Sequence, residues 1–338
     1  MASVISCRQA IKMLPALFII FVSFLPANHA AGHHGSVIFP LYQLPPDQLP
    51  NIHDGSIEEW RSLLSEPTLT EADFIPAGTE TTASGHNAED LQVEVYLGWT
   101  PSPPRVYAAM ERYDDVHVVA DRERSTRSDG IYLNIDADHS GGRYSWGLPG
   151  GDCALSVAEA IQRGLTLECI PHIFHSYTHA QEYVVSLSTR DRGPTLFLPI
   201  AQTEEEGFTK DWAEDAPYAA VGGIGGIVRE NLNYSVLEFF VTPFDSLDIR
   251  GPEFSLPSEL REGQVMGLEV TMMDFDEPNV SSYSEIQSTL SGSNHVWFDA
   301  DYFVDFRLLG SPPSPASTSV ERTTWGDVKN RHRQVPAK

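Results

Sequence analysis

Cysteine is scarce in this chain, with three among 338 residues, at positions 7, 153 and 169. So few exclude a disulfide-stapled scaffold, which needs several bridges in a short chain. Cys153 and Cys169 are spaced either to close one disulfide around a modest loop or to stay as two reduced, buried thiols. Positive charge is the second shortage: 22 Lys and Arg face 47 Asp and Glu, a formal net of −25. Phosphate backbones are gripped by clustered Lys and Arg, so nucleic acid is excluded as a partner. An acidic surface suits neutral ligands, divalent cations or plain solubility in a salty medium. Helix signals are few and no internal repeat is present. No serine sits in a Gly-x-Ser-x-Gly elbow, and no His-Glu-x-x-His or Cys-x-x-Cys-His pattern occurs.

Only one apolar run is long. Arg8 and Lys12 precede Met13–Phe24, broken by Pro15 and Ser23, and small residues follow at Ala27, Ala30 and Ala31. This charged, apolar, small-residue order is that of a secretory signal peptide over residues 1–31, too short in its apolar part to span a bilayer. The expected mature chain is secreted or periplasmic, with no stable membrane insertion after signal cleavage. Losing Arg8 and Lys12 leaves 20 cations against the same 47 acids, a net of −27.

The remaining pattern is mostly that of strands. Leu91, Val93, Val95, Leu97 and Trp99 alternate with Gln92, Glu94 and Tyr96; Val106, Ala108 and Met110 repeat the period, and so do Ile131, Leu133 and Ile135. Two strands joined at Pro101–Pro104 and followed by a third predict a sheet seed. Further strands are expected around Tyr183, Leu237, Leu268 and Val304. Many strands separated by Pro, Gly, Asp and Asn clusters predict an all-β fold, an antiparallel β-sandwich with jelly-roll or immunoglobulin-like layering. One short helix is expected after a capping box at Ser56–Glu59, with Ile57, Trp60, Leu63 and Leu64 inward, and a second at about Ser156–Gln162. The stretch from Gly142 to Asn233 reads as a loop-rich insert, including Gly222–Gly226. Residues 32–310 form the sandwich, and residues 311–338 form a Pro/Ser linker with a short basic tail.

Four groups of residues carry candidate chemistry. Asp136, Asp138 and Ser140 stand at alternate positions before two glycines, like the first half of a calcium loop or an ordinary hairpin turn. Calcium there would be structural. Asp274, Asp276 and Glu277 form a second acidic group that faces solvent or completes a cation site. His172, His175 and His179 read as solvated or hydrogen-bonded histidines, because Pro171 argues against the helix that would align them. Trp60 and Trp99 lie on apolar faces and are structural, whereas Trp146, Trp212 and Trp297 fall in turn-rich segments where a flat ring can stack on a sugar.

The order His53-Asp-Gly-Ser-Ile-Glu-Glu-Trp60, VEVYLGWT, RVYAAMERYDD, DGIYLNIDADHSGG, YSVLEFFVTPFDSLD, GQVMGLEVTMMDFDE and WFDADYFVDFRLL resembles the carbohydrate-binding module family 9 type of β-sandwich in its bacterial secreted form. The resemblance runs from about Ile52 to Leu309. It implies a calcium-stabilised sandwich that holds a glycan or oligosaccharide between aromatic rings, in support of carbohydrate catabolism, and it adds weight to Asp136 and Asp138 as cation ligands. The insert departs from the compact form, and no catalytic module accompanies the sandwich, so binding is expected rather than catalysis. Two alternatives stand beside it: a haem-binding redox domain of the related superfamily, with Met110, Met266, Met272 or a histidine as axial ligand, and a glycoside hydrolase acting on O-glycosyl bonds through a carboxylate pair.

Overall fold

The computed structural model describes residues 37–77, 90–119, 126–145, 177–187, 193–199, 210–229, 232–276 and 287–313. The signal segment, the helix expected at Ser156–Gln162, Trp146, Cys153, Cys169, His172, His175, Glu277 and the tail beyond residue 313 lie outside them. Among the described residues no helix is long and apolar enough to cross a membrane.

Strands dominate. They are β1 (Ile38–Gln43), β2 (Leu69–Thr70), β3 (Ile75–Pro76), β4 (Leu91–Pro101), β5 (Pro104–Asp114), β6 (Gly130–Asp136), β7 (Gln181–Leu187) and β8 (Pro194–Phe197). The series continues with β9 (Ala219–Arg229), β10 (Leu232–Val241), β11 (Phe244–Ser246), β12 (Leu256–Pro257), β13 (Val265–Met273), β14 (Gln287–Thr289) and β15 (Val304–Leu309). Helix α1 spans Glu58–Leu64. The main sheet runs β8-β7-β6-β13-β15-β1-β4-β5-β10-β9, with β14 on β13 and β2 on β4. Among the described strands only β1 pairs in parallel, with β15 and β4.

The hairpin β4–β5 forms as expected, with Pro101 opposite Pro104. The third strand of the expected seed does not join it: β6 pairs with β13 and β7 instead. Yet Val95, Leu97 and Met110 share one core with Ile131, Leu133 and Ile135. Strands that are distant in the sheet and close in the core require the sheet to fold over on itself. Its two ends, β8 and β9, meet, so the fold is an all-β, sandwich-like layering of one nearly closed sheet. Every residue of β6 and of β7 is buried, so this layer is covered on both faces.

The outer face of β4, β5 and β10 is covered by α1. Ile57, Trp60 and Leu64 pack on Tyr96, Tyr107 and Phe240, and the Trp60 indole donates to Glu238 Oε1 at 2.9 Å. The expected capping box is not formed: Ile57 occupies the N-cap without a side-chain bond. Asp54 instead accepts the Ser56 amide at 2.9 Å, and Glu59 accepts the amide of Asn51 at 2.6 Å, so the turn before the helix takes the groups the box would have used. The Gly222–Gly226 stretch is strand β9 rather than loop. A Cβ on Gly222 would lie 1.9 Å from the Ile52 carbonyl, and one on Gly225 2.0 Å from Leu187. Glycine is there because neighbouring chain runs against the strand.

The two layers are pinned at one end by Arg112, a side chain 1% exposed. Its guanidinium meets Asp114, Asp274 and, at 3.5 Å, Asp129, and donates to the Met273 carbonyl at 2.6 Å. Asp274 is thus an ion-pair partner rather than a solvent-facing acid. Burial raises Asp114 to about 6 and Asp274 to about 7 against the pull of Arg112. Replacing Arg112 by Met leaves three carboxylates in a buried site without their cation. Urea unfolding of Arg112→Met should show a loss of about 3–5 kcal/mol; a loss below about 1 kcal/mol would mean that water, not Arg112, balances those charges.

Candidate functional site

Register places a polar row across the outer face of β7, β6 and β13. Glu182 stands opposite Asn134, and Asn134 opposite Glu269. A second row holds Val184, Tyr132, Thr271 and Thr289 in direct opposition, and Met273 stands opposite Gln287. Period two sends these side chains away from the main core, whose members are Leu133, Tyr183, Leu268 and Val270. They are nonetheless buried, because Tyr144, Tyr177 and the chain from Leu290 to Trp297 lie over them.

Several polar atoms on this face lack a partner: Asn134 Oδ1, Glu269 Oε2, Thr271 Oγ1, Gln287 Oε1, Thr289 Oγ1 and the Trp297 indole nitrogen. Buried polar atoms are normally satisfied, and a concentration of orphans marks a place where water or a ligand supplies the missing bonds. Other contacts are complete. Asn134 Nδ2 donates to the Tyr144 hydroxyl at 2.6 Å, Tyr144 donates to the Val296 carbonyl at 2.6 Å, and it lies 3.3 Å from Glu182. Burial pushes both glutamates up to about 8. No charged side chain among the described residues acts on either, so each is a neutral acid at pH 7.

Trp297 is half-buried at the rim of this face. It packs against the main core and against a separate apolar group of Val118, Tyr132, Val184, Phe197, Met273 and Phe275. Trp212 lies elsewhere, on a short 3-10 turn at Asp211–Glu214. Its ring meets Tyr218 and Phe244 edge-on, at 4.8 and 5.5 Å between centroids, and its indole nitrogen also lacks a partner. The two tryptophans thus keep different company, and Trp297 is the one beside the polar rows.

The Asp136–Gly142 loop closes β6. Asp136 is fully buried and accepts the Gly141 amide at 2.7 Å, the Ser140 amide at 3.2 Å and the Ser140 hydroxyl at 3.4 Å. Asp138 accepts the Ser140 amide at 3.1 Å. Burial raises Asp138, and the neighbouring Asp136 carboxylate raises it further. Two carboxylates in such proximity call for a proton or a cation between them, so Asp136 and Asp138 fit a hard cation. Ser140 is turned inward as a donor. Two other groups gather at the Arg112 end, Asp114 with His117 and Asp129, and Asp90 with Asp115 and Asp276, their ligand atoms within 4.8 Å of one another in each. Met110, Met266 and Met272 are packed in the main core. His179 is half-buried.

The polar rows escaped the sequence reading because Asn134, Glu182 and Glu269 occupy the alternate positions of strands, which ordinarily face water. A signal was present: Tyr132, Val184 and Met273 stand on that same side, and apolar residues on both sides of a strand announce double coverage.

These acids set a pH dependence. Glu182 binds its proton more tightly folded, at about 8, than at its ordinary 4.5. Its favourable contribution is therefore complete below about pH 4.5 and is lost as pH rises toward 8, at about 1.4 kcal/mol per pH unit. The melting temperature should fall between pH 5 and pH 8, and Glu182→Gln should flatten that fall and melt higher than wild type at pH 8. Parallel melting profiles for the two proteins would show that Glu182 is ionised throughout.

No protein-family model matches the chain, and no curated protein matches it. Among solved structures, it is similar to a carbohydrate binding module family 9 (CBM9) from Caldicellulosiruptor kristjanssonii in complex with cellotriose, at 14% identity and a TM-score of 0.41, over 84% of this chain and 97% of that one. A CBM9 from the same organism in complex with glucose gives 12% identity and a TM-score of 0.39, over 82% of this chain and 99% of that one.

Proposed function

We propose that this protein is an exported, non-catalytic carbohydrate-binding β-sandwich, with Trp297 as the stacking ring and the outer face of β6, β7 and β13 as the polar edge. The observation that carries the reading is the half-buried Trp297 ring at the edge of a polar floor with unpaired donors and acceptors. A sugar hydroxyl donates one hydrogen bond and accepts others. Acceptors at Asn134 and Gln287, hydroxyls at Thr271 and Thr289 and a donor on Trp297 match a ligand that does both. Among the described residues an anion finds no cation here, and a purely apolar ligand would leave the orphans unmet. These atoms are buried beneath the covering chain, so ordered water meets them, and the sugar would lie on the exposed side of the Trp297 ring. The ordered sequence resemblance points the same way, and the apolar leader supports export. Trp146 and Trp212 would serve as further rings.

Calcium is proposed as a structural ion at the Asp136–Asp138 loop, where it would replace a shared proton and fix the end of β6. Asp138 and Ser140 are exposed while Asp136 is buried at the end of β6, so the ion would order the scaffold.

Two measurements test these readings. Titration with a panel of soluble oligosaccharides, with calcium present, should change tryptophan fluorescence, and Trp297→Ala should weaken the binding at least about tenfold, or ~1.4 kcal/mol. Silence across the panel would sink the sugar reading. Separately, calcium should raise the melting temperature over an EDTA-treated sample in wild type and not in Asp138→Asn. Equal melting with calcium and EDTA would remove the ion.

A further inference from the structure

The chain from Leu290 to Trp297 is fastened at both ends. At its start, Glu269 Oε1 accepts the amides of Leu290 and Ser291, at 2.5 and 3.3 Å. At its end, the Val296 carbonyl accepts from Tyr144 and Asn134, and the Trp297 carbonyl accepts from the Ser145 hydroxyl at 2.7 Å. Between them, Ser291 Oγ takes the Ser293 amide and Ser293 Oγ takes the His295 amide. The far end is held by three uncharged side chains. The near end is held by one carboxyl that is 0% exposed.

The groups facing that carboxyl are few. Asn134 stands opposite it on β6, and Thr271 follows it on its own strand with Thr289 beside it on β14. The amides of Leu290 and Ser291 and the Ser291 hydroxyl cover it. Glu182, under Tyr144 and Tyr177, is the next acid along the row. None of these is positive. A proton on Oε2 leaves Oε1 free to accept both amides and makes the unpartnered Oε2 a donor. Removing the proton strands a negative charge in a fully buried place with no cation acting on it among the described residues.

We propose that Glu269, as a neutral acid, is the positioning residue for the Trp297-bearing segment, and that loss of its proton loosens that segment. The importance of the segment for sugar rests on the function proposed above, whereas the proton link does not. Glu269 fastens the start of that segment, and so acts on Trp297 through the chain between them.

The test reads the amides themselves, in the whole protein without sugar. Hydrogen-exchange protection of Leu290 and Ser291, corrected for intrinsic rate, is followed by NMR at pH 6 and pH 9. Wild type should lose about tenfold in protection at pH 9, the factor for one pH unit beyond ionisation at about 8. Glu269→Gln, which keeps both acceptor bonds and cannot ionise, should be equally protected at both pH values. Glu269→Ala should be poorly protected at both; should it fail to fold, the comparison of wild type with Glu269→Gln decides alone. Unchanged protection in wild type, an equal loss in Glu269→Gln, or a loss abolished by Glu182→Gln instead would overturn the proposal. A protein that shows the expected exchange pattern and binds no glycan keeps the proton link and loses only the sugar reading.

Discussion

The guanidinium of Arg112 is the contact on which the candidate site depends. It sits at the end of β5 and reaches Asp274 and the Met273 carbonyl at the end of β13, two strands that never pair. Through Asp129, its influence spreads to the walls of the site. Asp129 Oδ2 accepts the Val118 amide at 2.6 Å and Oδ1 accepts the Phe275 amide at 2.8 Å. Val118, Met273 and Phe275 are members of the apolar group against which Trp297 packs. One buried cation therefore fixes the distance between layers and the position of the ring's neighbours. Only a planar fork with several donors can serve three carboxylates and a carbonyl at once, which is why lysine would not substitute.

The two outer faces of the sandwich show what a face built for stability looks like beside one that is not. Under α1, the cover is mostly apolar, and the buried Trp60 nitrogen is answered by Glu238 Oε1, whose Oε2 is left without a bond. Across β7, β6 and β13, the floor carries two glutamates, an asparagine and threonines, several with atoms left unpaired. A half-satisfied polar network is worth less than a plain apolar one of the same shape. This one lies at the face whose edge carries the half-buried Trp297. Glu269 and Tyr144 reconcile the two demands, since each also fastens the covering chain.

Much of the architecture was legible, because period two and one apolar side mark a strand whatever its partners. Partner choice was not. Nothing in GIYLNID says that β6 leaves the β4–β5 hairpin to pair with β13, about 130 residues later in the chain, since pairing depends on tertiary packing that local pattern does not encode. Gly222–Gly226 misled for a related reason. Glycine is the residue of loops and also of strands pressed by another backbone, and only the approach of Ile52 separates the cases. Trp297 was singled out on chemistry, but its setting was hidden in residues that alternate with the core and pass for surface.

The same burial alters the meaning of the composition. A formal charge of −25 counts every Asp and Glu as ionised. Glu182 and Glu269 are raised to about 8, and Glu238 and Asp274 to about 7, in each case chiefly by burial. All four hold their protons to higher pH than an exposed carboxyl does, so near and below neutrality the folded chain is less negative than its sequence. Part of the acidic excess that reads as a solvated surface is instead a set of neutral hydrogen-bonding acids inside the protein. Such acids keep their protons more firmly as pH falls, and they place the conditions of greatest stability on the acidic side of neutrality. A charge count alone would have placed them nearer the middle of the range, where most carboxylates are already paired and ionised.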